Sequence, residues 1–293
     1  MRRQRGTAVI MAMLVVVAAT TLVTGALWQQ NVLMREAENN LALSQARWLL
    51  RGAFDWADVI LREDARTSSV DHRGEPWAVP LADTRLNEND GRTPAYLAGA
   101  ITDEQGKFNL RNLAEGDKLV PAEVEALGRL LGALRIDERF AERIAERVRA
   151  AMRARAGEAD LGRAFADELL PVDLQPDALE RLRAVVTVLP EATPLNVNTA
   201  PAEVLVARVP GLTLIDAKRL VASRDRAYFK DVGDAVQRLR EAVPTASDSG
   251  LVVATHYFTV EGTVTYGRAR LAARALVKRD AGRLEVLWMK EAT

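Results

Sequence analysis

The sequence predicts an α+β protein in which a long N-terminal helix, half in a membrane and half outside it, packs as a spine on an antiparallel sheet, with a helical domain inserted before the sheet closes. Three patterns predict it. An uncharged apolar run between Arg5 and Arg35 continues at helical spacing without proline. Amphipathic helical periodicity fills Pro121 to Leu189 and resumes after it, and apolar and polar residues alternate from His256 onward.

Composition narrows function before any motif does. With 48% hydrophobic and 27% charged residues among 293, the chain can bury one large core or two smaller ones. Forty basic and forty acidic side chains cancel, so no overall field draws the chain to nucleic acid, and partner choice falls to local surfaces. There are no cysteines and two histidines, His72 and His256, which removes disulfide frameworks, thiolate metal sites and most histidine chemistry. No serine–histidine–acid set or paired-carboxylate cleft assembles from the remaining residues, so no catalytic or cofactor-binding residue is assigned and no enzymatic activity is expected.

The stretch from Thr7 to Trp28 is almost wholly apolar and long enough to cross a hydrocarbon core of about 30 Å. Arg2, Arg3 and Arg5 precede it and mixed charges (Arg35, Glu36, Glu38) follow, which places the N-terminus in the cytoplasm and the remaining chain in the periplasm. An ordinary secretory signal, cut near Thr24-Gly25-Ala26, is the competing reading. Against it, the apolar run outlasts a signal core, and Leu41, Trp48, Gly52, Trp56 and Val59 carry helical spacing onward to about Leu61.

The leader Arg2-Arg3-Gln4-Arg5-Gly6, followed by Thr7-Ala8-Val9-Ile10-Met11-Ala12, resembles the start of type IV pilin-like proteins. That resemblance implies cleavage after Gly6 by prepilin peptidase and N-methylation of Thr7 as mature residue one. Most pilins carry a glutamate at the fifth mature position, where it is thought to pair in lipid with a preceding subunit's amine. Here that position is Met11. The departure resembles the K-type minor pseudopilins of type II secretion, in which a subunit with no predecessor needs no such pair.

After Leu61 the residues Ser68, Ser69, Gly74, Pro76, Pro80, Asn87, Asn89, Asp90-Gly91 and Pro94 read as a long surface loop. Ala100 to Leu110 reads as strand, turn and strand about Gln105-Gly106, and resembles the segment by which K-type pseudopilins enter their helical insertion. Helices follow over Ala122 to Leu134, Glu138 to Arg153 and Gln175 to Val186. Arg147, Arg149, Arg153 and Arg155 alternate with Glu138, Glu142, Glu146 and Glu158 at spacings that pair within a helix, so this face is self-compensated.

Leu195 to Arg224 resembles a helix-hairpin-helix unit, with Thr199 placed to cap its first helix, Pro210-Gly211 turning the chain, and Asp231 capping a third helix. Such hairpins bind DNA elsewhere through backbone amides, which makes a membrane-anchored DNA-uptake protein the alternative function. Two features oppose it. Thr213 stands where DNA-binding hairpins carry a second glycine, and Asn196 to Arg240 holds eight basic residues against five acidic, an excess of only three. K-type pseudopilins carry the same region, similar to a sterile alpha motif, as protein architecture, so no nucleic-acid partner is expected.

Three strands close the chain, through Phe258 to Tyr266, Ala269 to Leu276 and Leu284 to Trp288, separated at Gly267 and Asp280-Ala281-Gly282. The division is leader 1–6, membrane and spine helix 7–61, loop and first strand region 62–112, first helical domain 113–190, hairpin region 191–245 and closing sheet 246–293. Calcium is a weaker candidate at Asn87, Glu88, Asn89 and Asp90, whose spacing matches no recognised calcium loop, and no metal ligand is named.

The resemblance implies a pseudopilus-tip subunit of the inner membrane that initiates and caps the filament. Its implied partners are I-type and J-type minor pseudopilins, extending to the H-type and major pseudopilins, with prepilin peptidase, the inner-membrane secretion platform and membrane lipid. Trp48 and Trp56, with Leu41 and Gly52, are expected to pack partly on the chain's own sheet and partly on neighbouring spines. The insertion, about Pro121 to Arg240, is expected to be removable without unfolding that sheet.

Overall fold

The computed structural model describes residues 4–87, 93–154, 169–170, 173–280 and 283–292. Helix α1, Gln4–Thr67, runs unbroken for 64 residues, or about 96 Å at 1.5 Å per residue. It passes the expected end at Leu61 by six residues, because Leu61 and Asp64 still face the body and are buried. Its first half is long and apolar enough to cross a membrane, where a helix is required because each backbone polar group must find its partner within the segment.

Strands β1 (Leu81–Arg85), β2 (Ala95–Asp103), β9 (Tyr257–Tyr266), β10 (Ala269–Asp280) and β11 (Arg283–Ala292) form an antiparallel sheet in that spatial order. β9 therefore sits at the centre, paired with β2 on one side although more than 150 residues of chain separate them. Ala46, Leu50, Ala57 and Leu61 of α1 pack on Leu97, Phe258, Val260, Val264, Leu271 and Ala275 of the sheet. The approach is close enough that a Cβ added at Gly262 would lie 3.0 Å from Leu50 Cδ1, so glycine sets how near the spine lies to β9. Gly267, at φ 59°, makes the tight β9–β10 turn. Ala281 and Gly282, expected in the following turn, lie outside the described residues.

Everything between β2 and β9 leaves the sheet at the end where α1 stops. Helices α2 (Pro121–Ala133), α3 (Phe140–Ala154) and α4 (Pro176–Val185) begin and end within two residues of the periodicity that predicts them. They share a second core with α5 (Ala202–Arg208), α6 (Leu214–Arg224) and α7 (Val232–Arg240), built on Leu127, Leu130, Ile144, Leu182, Leu205 and Phe229. The turn at Gln105-Gly106 forms, but the strand after it, β3 (Phe108–Asn109), pairs in parallel with β6 (Val186–Thr187) and not back on β2. The expected strand, turn and strand thus form, and the second strand leads into the insertion. The arginine-rich face of α3 is compensated differently from the expected intrahelical pattern. Arg149 pairs with Glu146 at 2.6 Å, but Arg153 reaches Asp117 and Arg147 donates to the Leu170 carbonyl. Arg155 and Glu158 lie outside the described residues.

Candidate functional site

Two surfaces of the spine bear on function. The first is a stripe along its C-terminal half. Leu41, Trp48, Trp56 and Val59 are 66%, 68%, 52% and 60% exposed, with Gly52 exposed between them. At 3.6 residues per turn this stripe falls almost opposite the face that carries Ala46, Leu50, Ala57 and Leu61 to the sheet. The spine around these residues meets its own sheet through the smaller Ala46, Leu50 and Ala57, while Leu41 and Trp48 face away and the half-exposed Trp56 lines a cleft between spine and sheet. The large apolar residues at helical spacing mark an uncovered face, and exposed tryptophans in such a row point to an interaction surface.

The second is the buried junction at the spine's far end. Arg279 on β10 sends one nitrogen to Asp64 of α1 (2.7 Å) and the other to Asp71 of the following loop (2.6 Å) and the Thr255 carbonyl (3.1 Å), while its guanidinium covers the Phe258 ring. Asp71 also accepts from Thr255 N at 2.7 Å, and its carbonyl accepts from Asn196 Nδ2 at 3.1 Å. Asp103, at the end of β2, accepts from Gln105 N (2.7 Å), Asn196 Nδ2 (2.9 Å) and the Thr199 hydroxyl. Arg73 donates to the Thr199 carbonyl at 2.6 Å, and His72 stacks on Tyr228 at 3.9 Å. Arg224, buried, pins the Val197 and Ala200 carbonyls from behind. Spine, sheet, loop and insertion therefore meet in one polar cluster.

Thr199 was the expected cap of the first hairpin helix. Instead α5 begins at Ala202 with Pro201 at its N-cap and no side-chain cap bond, which leaves Thr199 two residues too early to cap, and its hydroxyl donates to the buried Asp103 carboxylate. Asp231 caps α7 through Asp234 N at 2.8 Å, as its position implies. Thr213 caps α6, its hydroxyl oxygen accepting from Asp216 N and its proton going to the Asp216 carboxylate, so one helix-start amide is already taken by a side chain and a negative charge stands beside it, which repels a phosphate. Gly211, at φ 85°, makes the preceding turn.

Burial pushes Asp103 up to about 6 against the hydrogen bonds from Thr199, Thr255 and Gln105, and pushes Asp64 up to about 6 against the bond from Arg279. Burial also raises Glu104, but Lys107, 2.7 Å away, outweighs it and holds that carboxyl below its usual value. A raised carboxyl contributes stability that is fully present below about pH 4 and lost as pH rises through about 6, whereas the contribution of Glu104 is lost only as pH falls through its lowered value. Thermal stability should therefore increase between pH 7.5 and pH 5, by roughly 1 kcal/mol for each of Asp64 and Asp103. A melting temperature that falls steadily over that range would show that neither carboxyl takes up a proton on folding.

Gly6 and Thr7 lie inside α1, and Met11 is exposed in the lipid-facing run; Arg2 and Arg3 lie outside the described residues. Glu88, Asn89 and Asp90 of the calcium candidate also lie outside them, while Asn87 binds Ala95 N and the Thr93 carbonyl. Asp64, Asp71 and Glu75 lie close enough together to share a cation. The guanidinium of Arg279 takes two of these carboxylates, and Glu75 accepts from Trp77 Nε1 and His72 N.

Known proteins place this architecture. Residues 195–254 match the family model for type II secretion system protein K. Type II secretion system protein K of Pseudomonas aeruginosa is 30% identical, over 98% of this chain and 92% of the relative. This chain belongs to the type II secretion system protein K family. The Klebsiella pneumoniae protein K is 26% identical over 95% of the chain and 93% of its own length. A chain of the crystal structure of the GspK-GspI-GspJ complex from the enterotoxigenic Escherichia coli type 2 secretion system shares the fold, with a TM-score of 0.64 at 20% identity, over 88% of this chain and 99% of that one. The family places this chain among the minor pseudopilins of protein secretion. The segment matched by the family model holds Asn196 and Thr199, so the insertion-side donors to Asp103 fall inside it.

Proposed function

We propose that this K-family chain starts the periplasmic pseudopilus and caps its tip, acting in the export of folded proteins across the outer membrane without catalysing a reaction. The observation that carries the proposal is the placement of the insertion. It leaves the sheet beside Asp103 and returns at Tyr257, both at the end of the body where α1 stops, so its bulk stands on the side away from the membrane. A subunit built this way has an open flank for neighbours beside and below it and no room for one above. Met11, uncharged in the lipid run, fits a subunit with no predecessor.

In this reading the N-terminus is cytoplasmic, prepilin peptidase cuts after Gly6 because bulk there is not tolerated, and Thr7 becomes the methylated mature terminus. The I-type and J-type minor pseudopilins, partners of the GspK chain in the related complex, lie against the exposed stripe at Trp48 and Trp56. The DNA-uptake alternative is disfavoured by Thr213 and Asp216: the Thr213 hydroxyl takes the Asp216 amide, and the Asp216 carboxylate beside it repels a phosphate. One experiment reads both ends of the proposal. Overproduced pseudopili should carry gold label against this chain at one end only, and the chain recovered from them should have the mass of a form lacking Met1 to Gly6. Label spread along the shaft removes the tip assignment, and a chain beginning after Ala26 removes the pilin-type processing.

A further inference from the structure

Beside the exposed stripe, between α1, the sheet and the 3-10 turn Pro76–Ala78, lies an apolar cleft of about 370 Å³. Ala53 and Trp56 of the spine form one wall and Trp77 and Val79 the other. Its floor dips where Gly99 on β2 and Gly262 on β9 face each other across the strands, between Leu97, Ile101 and Val260. A cavity of about 150 Å³ takes a benzene, so this cleft has room for a bulky side chain and the backbone that carries it. Val79 at its mouth is 68% exposed and Trp56 at its lip 52%, which leaves a large apolar surface facing water.

We infer that the cleft receives one bulky aliphatic or aromatic side chain from the membrane-anchored helix of a neighbouring minor pseudopilin. The inference rests on the assembly role proposed above and goes beyond it by assigning a socket. Position selects the occupant. Trp56 lies 28 residues beyond Trp28, the end of the apolar run, or about 42 Å along a helix, which is out of reach of lipid chains. A partner anchored in the same membrane rises alongside α1, and the face open to it is the stripe through Leu41, Trp48, Gly52 and Trp56. Trp56 belongs both to that stripe and to the cleft wall, so a helix seated on the stripe passes the cleft mouth. A side chain projecting there leaves water for a largely apolar pocket, the arrangement that concentrates binding energy in a few central residues.

The test co-expresses the full chain with the I-type and J-type pseudopilins of its own secretion system and measures their co-purification from mild detergent extracts. Ala53→Phe fills the cleft from the spine side, and Val79→Asp places a charge at its mouth on an exposed residue whose replacement leaves the core intact. Both should lower capture of at least one partner by about tenfold or more while the melting temperature of Val79→Asp stays that of the wild type. Undiminished capture by both variants overturns the socket, as does loss with Val79→Asp alone, which would place the contact on the rim. A wild-type chain that captures another copy of itself, with the cleft variants abolishing that, also overturns it. A wild-type chain that captures neither pseudopilin overturns the assembly role itself.

Discussion

Replacing Arg279 by Met should destabilise the protein by about 3–5 kcal/mol, because it leaves Asp64 and Asp71 as buried carboxylates facing each other without their cation. The two acids are 8% and 2% exposed, so water cannot take over the guanidinium's role, and the Thr255 carbonyl loses its donor as well. Lys would restore charge but cannot reach both acids and the carbonyl with one ammonium, so Arg279→Lys should fall between the two. A triple variant with Asp64→Asn and Asp71→Asn added to Arg279→Met should recover part of the loss, since the cost comes from unpaired charge more than from the missing pair. Denaturant unfolding of the three proteins measures this. A loss under about 1 kcal/mol for Arg279→Met would mean that the cluster is hydrated or protonated and that the junction is held by its apolar contacts.

This junction is also where the sequence stops being legible. The closing strands declare themselves because alternation is local: Phe258, Val260 and Val264 face the spine simply by spacing. The helices of the insertion are equally local. Arg279 and Asp71, by contrast, are 208 positions apart, and Thr199 and Asp103 are 96 apart; no period links them, and each reads alone as a solvated or capping residue. Thr199 illustrates the limit. It reads locally as a cap, but the helix starts two residues later, behind Pro201, and the hydroxyl donates to a buried acid from another element. The stripe on α1 fails in the opposite way. Leu41, Trp48 and Trp56 are the largest apolar residues at helical spacing, yet the sheet takes the alanines and leucines, because a tight helix-to-sheet approach over Gly262 has no space for indole rings. An apolar face shows that something covers it; the sequence alone does not say whether that is the same chain or another.

Removing Pro121 to Arg240 should therefore unfold the remaining sheet and not leave it standing, against the modular expectation from sequence. The deletion takes away Asn196 and Thr199, two of the donors that hold Asp103, a residue 4% exposed in the whole protein. Each lost hydrogen bond to a buried charge costs roughly 1.5–3 kcal/mol, and Gln105 loses the Asn196 amide from its carbonyl as well. The damage reaches the central strand. Glu191, which accepts from the Tyr257 hydroxyl and from Lys278 Nζ, goes with the deletion, as does Leu189, which covers Tyr257 and Leu276. Tyr257 begins β9, the strand that pairs with both β2 and β10, so the sheet loses support at its middle and not at an edge. Against a net stability of about 5–15 kcal/mol for a typical protein, these losses are enough to melt the body. The deleted chain should be cleared by proteolysis in cells, and, where recovered, should show no cooperative thermal transition by circular dichroism. A shorter deletion of Pro121 to Val185 keeps Leu189, Glu191, Asn196 and Thr199 and should retain such a transition, although it strips part of the second core. If the longer deletion instead melts cooperatively within a few degrees of the intact protein, the buried carboxylate cluster does not tie the insertion to the spine.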